Sequence, residues 1–258
     1  MRQQADPGPG ARSGLPDLAS VTTVLCDADG NLFDSEVPAF EASVVVVNEL
    51  LAALGSSSRH EADELRRTAS GRNFRSLAID LASALDKPLA GDELARWVEK
   101  EKGAVTEHLA VTLLPDRAVT DSVEHLASRF RLAVVTSSAL TRLGTCLEVT
   151  GLSSLFPEAH RFSAFDSLPT PTSKPDPAVY RLALRELHLA AEQAVAIEDA
   201  EAGVLSAAAA GIPTLGNLAY VPAGERAARR DALKGAGAIM VAEDWEDLVA
   251  ILSPGGAR

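Results

Sequence analysis

The sequence predicts an α/β protein, a parallel sheet with helices on both faces and an all-helical insert after the first strand. Three observations predict it. Short apolar runs alternate with helix-period segments from residue 115 onward, as in strand–helix–strand units that cover a sheet on both sides. Residues 37–114 break the alternation and read as helix throughout. Several apolar runs end on acidic or hydroxyl residues, and a parallel sheet gathers such ends at one edge.

Each element has its own signal. Residues 1–20 are rich in proline and glycine and lack the apolar stretch of a signal peptide, so a disordered tail is expected. Residues 21–26 form the first strand. The insert reads as helices over 37–54, 60–70, 73–86 and 91–109, parted by Gly55-Ser56-Ser57-Ser58 and by Asp86-Lys87-Pro88. Further strands are expected at 132–135, 161–164, 194–197, 213–215 and 238–241. Helices are expected at 117–129, 139–150, 177–189, 201–210 and 244–252. Asp176 before Pro177 marks a helix start, an N-cap followed by proline at N1. Gly211 marks a stop after Ala207-Ala208-Ala209-Ala210. The division that follows is a core of residues 21–36 and 115–258 and an inserted domain of 37–114.

Bulk composition narrows the function. The chain has 258 residues, 47% of them hydrophobic, enough for a core domain plus an insert. With 24 basic and 36 acidic residues the formal net charge is −12. Nucleic acids and anionic membranes bind basic faces, so neither is an expected partner. An anionic substrate would need positive charge gathered locally. Cys26 and Cys146 are too few for a disulfide framework or a zinc site and suit a reducing compartment. No run is long and apolar enough to span a bilayer. A cytoplasmic protein is expected, a monomer or weak homodimer.

The most informative stretch is Asp27-Ala28-Asp29-Gly30-Asn31-Leu32, directly after the first strand. A carboxylate there can serve as nucleophile, metal ligand or both. A calcium loop is excluded, because an EF-hand needs Gly at position six and Glu at twelve, and Leu32 and Pro38 stand there. Other strand ends carry Thr136 and Ser137, then Glu198 and Asp199; Lys174 lies between Ser173 and Pro175. Pro175 disfavours helix at Lys174, so that lysine should project from a loop. Singly, these read as turn residues, a solvated lysine and a helix cap. In this order they form a phosphate-handling set.

The chain resembles the haloacid dehalogenase superfamily of phosphohydrolases, in the branch with a helical cap inserted after the first motif, where phosphoglycolate phosphatases and β-phosphoglucomutases belong. Asp27-Ala28-Asp29-Gly30-Asn31-Leu32-Phe33-Asp34 matches the first motif and Val134-Val135-Thr136-Ser137 the second, with Ser137 where many relatives have Asn. Lys174-Pro175-Asp176-Pro177 matches the third. Glu198-Asp199-Ala200-Glu201-Ala202-Gly203 matches the fourth, and Leu114-Pro115 the return to the core, with Asp116 where Gly is usual. The resemblance covers about residues 21–252.

The resemblance implies a Rossmann-like core, a cap and a phosphoryl-transfer site. Asp27 would attack phosphorus and form an aspartyl-phosphate. Asp29 would protonate the leaving alcohol and then deprotonate water. Thr136 and the Ser137 backbone N–H would hold phosphoryl oxygens, and Lys174 would supply a point charge. Mg²⁺ would be bound by Asp27, by Asp199, by the Asp29 carbonyl, and by Glu198 directly or through water. Asp29 separates the chain from dehalogenases and phosphonoacetaldehyde hydrolases, which replace it. Ala39 stands where sugar-phosphate mutases of this branch often place His.

The expected activity is a Mg²⁺-dependent phosphatase acting on a small phosphorylated metabolite, a sugar phosphate or phosphorylated hydroxy acid. The alternatives are a sugar phosphomutase and a silent member that binds a phosphorylated ligand. In the cap, Ser70-Gly71-Arg72-Asn73 lies where the family places a substrate-specificity loop, so Arg72 and Arg75 are candidate substrate contacts. Phe40, Phe74 and Trp97 are the cap's large aromatics, too few to build a stacking platform for a base.

Overall fold

The structure, a computed structural model, describes residues 18–69 and 73–253. Residues 1–17, most of the expected tail, lie outside it, as does Arg72; residues 18–20 form a short 3₁₀ turn instead of a tail. Among the described residues, six strands form one wholly parallel sheet. They are β1 (Thr23–Cys26), β2 (Arg131–Thr136), β3 (Arg161–Ser163), β4 (Ala194–Glu198), β5 (Thr214–Asn217) and β6 (Met240–Ala242), in the order β3-β2-β1-β4-β5-β6. The strand order reverses around β1, and the ligand crevice of such sheets opens there.

Side chains alternate across the sheet because the strand period is two. Val24 and Cys26 of β1, Leu132 and Val134 of β2, and Val195 and Ile197 of β4 enter one buried cluster. Their neighbours Leu25, Ala133, Val135, Ala194 and Ala196 enter the other. Helices α5 (Arg117–Ala127), α6 (Leu140–Val149) and α10 (Trp245–Leu252) cover the first face. Helices α7 (Ala178–Glu186) and α8 (Glu201–Ala209) cover the second. With both faces buried, the strands read as continuous apolar runs.

Between β1 and β2 lie the cap helices α1 (Glu36–Ala53), α2 (Ala62–Ala69), α3 (Phe74–Ala84) and α4 (Gly91–Thr112). They close on a separate cluster that includes Val47, Leu50, Leu65, Ala78 and Leu94.

Two helix ends show the local rules at work. Gly211, at φ +81°, ends α8; its N–H donates to the Ala208 carbonyl at 2.9 Å, and the Ile212 N–H to Ala207 at 3.0 Å. That is a Schellman motif, whose left-handed residue favours glycine. At α7 the N-cap is Pro177, one residue later than expected, while the Asp176 carboxylate accepts from the Ala178 N–H at 2.9 Å. One helix went unread in the sequence. Helix α9 (Arg226–Ala236) packs Leu233 and Ala236 beside Val204 of α8 and carries charge over most of its length.

Candidate active site

Three strand ends and a loop meet at the carboxyl edge of the sheet. The register pairs Cys26 with Val134 on one side and Ile197 on the other. Asp27 therefore emerges level with Val135 and Glu198, one residue short of Thr136 at the end of β2. From the loop before α7, Lys174 reaches back and donates to the Asp27 carboxylate, to Glu198 Oε1 at 2.7 Å and to the Val135 carbonyl at 2.7 Å. Asp27, Thr136, Lys174, Glu198 and Asp199 are all buried. Oxygens of Asp27, Glu198 and Asp199 lie within 4.8 Å of one another.

Burial sets the electrostatics. It pushes the Asp27 carboxyl above its usual range, against the pull of Lys174. It raises Glu198 to about 7, again against Lys174, with Asp27 adding to the rise. Asp199 is held well above the usual range by burial and then by Asp27 and Glu198. Burial alone would lower the Lys174 ammonium, but the two carboxylates beside it carry it above the ordinary lysine value. Three crowded carboxyls with one ammonium among them suit a hard divalent cation with oxygen ligands. The donor set fits Mg²⁺.

Asp29 is held differently. It is half-buried, and its side chain stands outside the carboxylate cluster. The Ser35 hydroxyl donates to Oδ1 at 2.8 Å and the Ser138 hydroxyl to Oδ2 at 2.6 Å. These contacts fix the carboxylate in one orientation.

The two departures from the family pattern have local explanations. The Ser137 hydroxyl accepts from the Lys174 backbone N–H at 3.1 Å and ties the second motif to the third. Asp116 caps α5, accepting from the Ala118 N–H at 2.9 Å, and also accepts from the Tyr220 hydroxyl at 3.1 Å.

Several supporting contacts escaped the sequence reading, although Asn31 and Gly203 themselves stand in the first and fourth motifs. The Tyr180 hydroxyl donates to Glu198 Oε1. Gly203 gives Glu198 its room, since a Cβ there would sit 1.8 Å from Glu198 Oε2. Asn31 donates to the Asp27 carbonyl at 2.9 Å and accepts from Asn217 at 2.7 Å, which locks the first motif to the end of β5. Arg229 of α9 donates to the Asp199 carbonyl at 2.9 Å and lies 3.7 Å from its carboxylate. Asn217 was open to the strand-end argument. Tyr180 and Arg229 gave no signal, because each sits on a helix whose spacing does not mark it.

Asp27, Asp29, Thr136, Lys174, Glu198 and Asp199 line a cavity of about 680 Å³ between core and cap. Ser137 and Arg75, both exposed, contribute to its wall, as do Ala39 and Phe74. Arg72 lies outside the described residues.

The sequence matches the family profile described as haloacid dehalogenase-like hydrolase over residues 21–211. The chain belongs to that family of hydrolases. It is 30% identical over 200 residues to protein CbbY of Cereibacter sphaeroides, covering 74% of this chain and 82% of CbbY. Its fold is similar to that of a haloacid dehalogenase-like protein of Agrobacterium tumefaciens, with a TM-score of 0.70, 22% identity and coverage of 92% of this chain and 100% of the other. It is also similar to Rhodobacter sphaeroides CbbY crystallised with xylulose-(1,5)bisphosphate, with a TM-score of 0.67, 24% identity and coverage of 88% and 96%. Among the described residues no helix is long and apolar enough to cross a membrane.

Proposed function

We propose that this hydrolase is a Mg²⁺-dependent phosphatase of small phosphomonoesters that works through an aspartyl-phosphate on Asp27. The observation that carries this reading is the Lys174 ammonium bridging Asp27 and Glu198, with Asp199 beside them, on the wall of one cavity. Residues 37–114 act as the cap domain that closes over the substrate.

Asp27, Asp199, the Asp29 carbonyl, and Glu198 directly or through water would hold Mg²⁺, which would supply charge neutralisation at the phosphoryl group. Asp27 attacks phosphorus as the ester P–O bond breaks. Asp29, oriented by Ser35 and Ser138, gives its proton to the departing oxygen. The same carboxylate then takes a proton from the water that attacks phosphorus, and Asp27 leaves as a carboxylate. Thr136 and the Ser137 N–H hold the transferred oxygens, and Lys174 favours the ionised form of Asp27 and aims it. The leaving group is a sugar or hydroxy acid, whose hydroxyl or carboxylate groups can meet the polar side chains of the wall, among them Ser35, Asn73, Arg75 and Lys102. That CbbY has been crystallised with a sugar bisphosphate supports this class. The mutase alternative is weaker, since Ala39 lines the cavity and offers no group to relay a proton.

The test is phosphate release from p-nitrophenyl phosphate and a panel of sugar and hydroxy-acid phosphates. EDTA abolishes it, and Asp27→Asn lowers kcat by about a thousandfold or more. Ligand binding with no release across the panel would instead make the chain a silent binder. Conversion of a sugar phosphate to its isomer without net release would make it a mutase.

A further inference from the structure

A buried hydroxyl on the edge strand holds the loop that carries Ser138. Ser163 ends β3, opposite Thr136 in the register, and is fully buried. Its Oγ donates to the Ser138 carbonyl at 2.7 Å and accepts from the N–H groups of Phe165 at 3.1 Å and Asp166 at 3.0 Å. A serine hydroxyl has one proton to donate and two lone pairs to accept with, so Ser163 is saturated. Two further bonds tie the same two loops. The Ala164 N–H donates to the Thr136 carbonyl at 2.9 Å, and the Asp166 carboxylate accepts from the Leu140 N–H at 2.6 Å.

Every polar group of Ser138 is thereby engaged. Its carbonyl takes the Ser163 hydroxyl, its N–H donates to Thr136 Oγ1 at 3.0 Å, and its hydroxyl donates to Asp29 Oδ2 at 2.6 Å. Thr136 Oγ1 accepts in that contact, which leaves its own proton to be donated to a phosphoryl oxygen. Ser138 thus joins the group that holds the phosphoryl oxygens to the carboxylate that handles the proton. Take away the Ser163 hydroxyl and the Ser138 peptide can turn, carrying its side chain off Asp29. Displacing a catalytic group by about 1 Å costs about a hundredfold in rate.

We propose that Ser163 is a positioning residue for proton transfer: acting through Ser138, it sets where Asp29 meets the leaving oxygen. Ser163 lies outside the cavity wall, so Ser138 is its route to the reacting atoms. Oδ2 of Asp29 can accept from Ser138 both when the carboxyl is ionised and when its proton sits on Oδ1, so one contact serves both halves of the reaction. Oδ1 is then the atom that gives its proton to the ester oxygen as the P–O bond breaks, and that takes a proton from water afterwards. This rests on the phosphatase reading and deepens it.

The experiment measures kcat/KM with Mg²⁺ for aryl phosphates whose phenols are graded in acidity, from p-nitrophenol to phenol. It uses the full chain and its Ser163→Ala and Ser138→Ala variants. p-Nitrophenolate departs with little need of a proton and phenolate with more, so a displaced acid steepens the dependence of rate on leaving-group acidity. The loss of kcat/KM in Ser163→Ala should be about tenfold greater, or more, on phenyl phosphate than on p-nitrophenyl phosphate. Ser138→Ala should steepen the dependence in the same sense, and the double variant should be no steeper than Ser138→Ala alone. A merely loosened loop would lower every ester alike. Equal losses across the series, or steepening that adds in the double variant, would overturn the proposal. Should Ser163→Ala not fold, Ser163→Cys, similar in shape but a weaker donor, takes its place, and an unchanged dependence would overturn the proposal. Should the unaltered chain release phosphate from no ester, the phosphatase reading fails instead, and the carboxyl ¹³C resonance of Asp29 decides for Ser163. Identified by its loss in Asp29→Asn, that resonance should shift in Ser163→Ala, and an unmoved one would overturn the link.

Discussion

Lys174 and Gly203 shape the site by opposite means, one by charge and one by the lack of a side chain. Lys174 donates to two buried carboxylates, Asp27 and Glu198. Lys174→Met would leave both without their ammonium, and removing one partner of a buried pair costs about 3–5 kcal/mol. Urea unfolding in EDTA should show that loss, with turnover abolished. Gly203 matters because Glu198 occupies the space where a Cβ would stand. Gly203→Ala must displace Glu198 from Lys174 and Tyr180, and overpacking of this kind costs about 1–3 kcal/mol. We expect a lower unfolding midpoint and a lower kcat. Glycine at 203 was visible in the fourth motif, but its reason was not, because the Glu198 side chain curls back over it only in the folded chain.

Between elements, the cap is tied to the core by ion pairs across the seam. Arg66 of α2 donates to both carboxylate oxygens of Glu225, at 2.8 and 3.3 Å. Arg229, one turn beyond Glu225, contacts Asp199. The helix that begins at Arg226 thus touches both the cap tie and the acidic cluster. Arg66→Ala should loosen closure and change KM and kcat together, as lid contacts do, and stability should fall by about 1 kcal/mol or less because Glu225 is partly exposed. Steady-state kinetics and thermal unfolding check the two halves of that statement. The expected cap helices and core strands are present within a few residues, since each carries a clear apolar period. Helix α9 escaped because its buried apolar face amounts to Leu233 and Ala236, while Arg226, Arg229, Arg230, Asp231 and Lys234 dominate the pattern. Arg229 was lost with it.

For the molecule as a whole, the crowded carboxyls predict an unusual pH response without metal. Glu198 rises from 4.5 to about 7 in the folded state, and Asp27 and Asp199 move in the same direction. A folded-state pKa above the unfolded one means that the native state binds more protons across the interval. This contribution to stability is present below about pH 4.5 and is lost as pH rises through about 7. The metal-free protein should therefore be less stable at pH 7.5 than at pH 5.5, by an amount on the order of 1–3 kcal/mol from this cluster, and show a lower Tm. Glu198→Gln should flatten the difference. Mg²⁺ added at pH 7.5 should restore the Tm, since a ligand that binds only the native state stabilises it. Calorimetry at the two pH values, with EDTA and with Mg²⁺, measures all three effects.

Chain order and apolar spacing were enough to foretell the α/β class, the helical insert, and the gathering of Asp27, Thr136, Glu198 and Asp199, with Lys174 from a loop, at one edge of the sheet. Strand ends inherit their position from the parallel sheet, so residues far apart in sequence could be assigned to one edge before any coordinate was known. The partners of those groups could not be assigned in that way. Tyr180 on Glu198, Asn217 on Asn31 and Arg229 on Asp199 depend on how helices pack over that edge. Packing angle and side-chain reach leave no period in the sequence, because they arise from contacts between elements and not from the repeat within one.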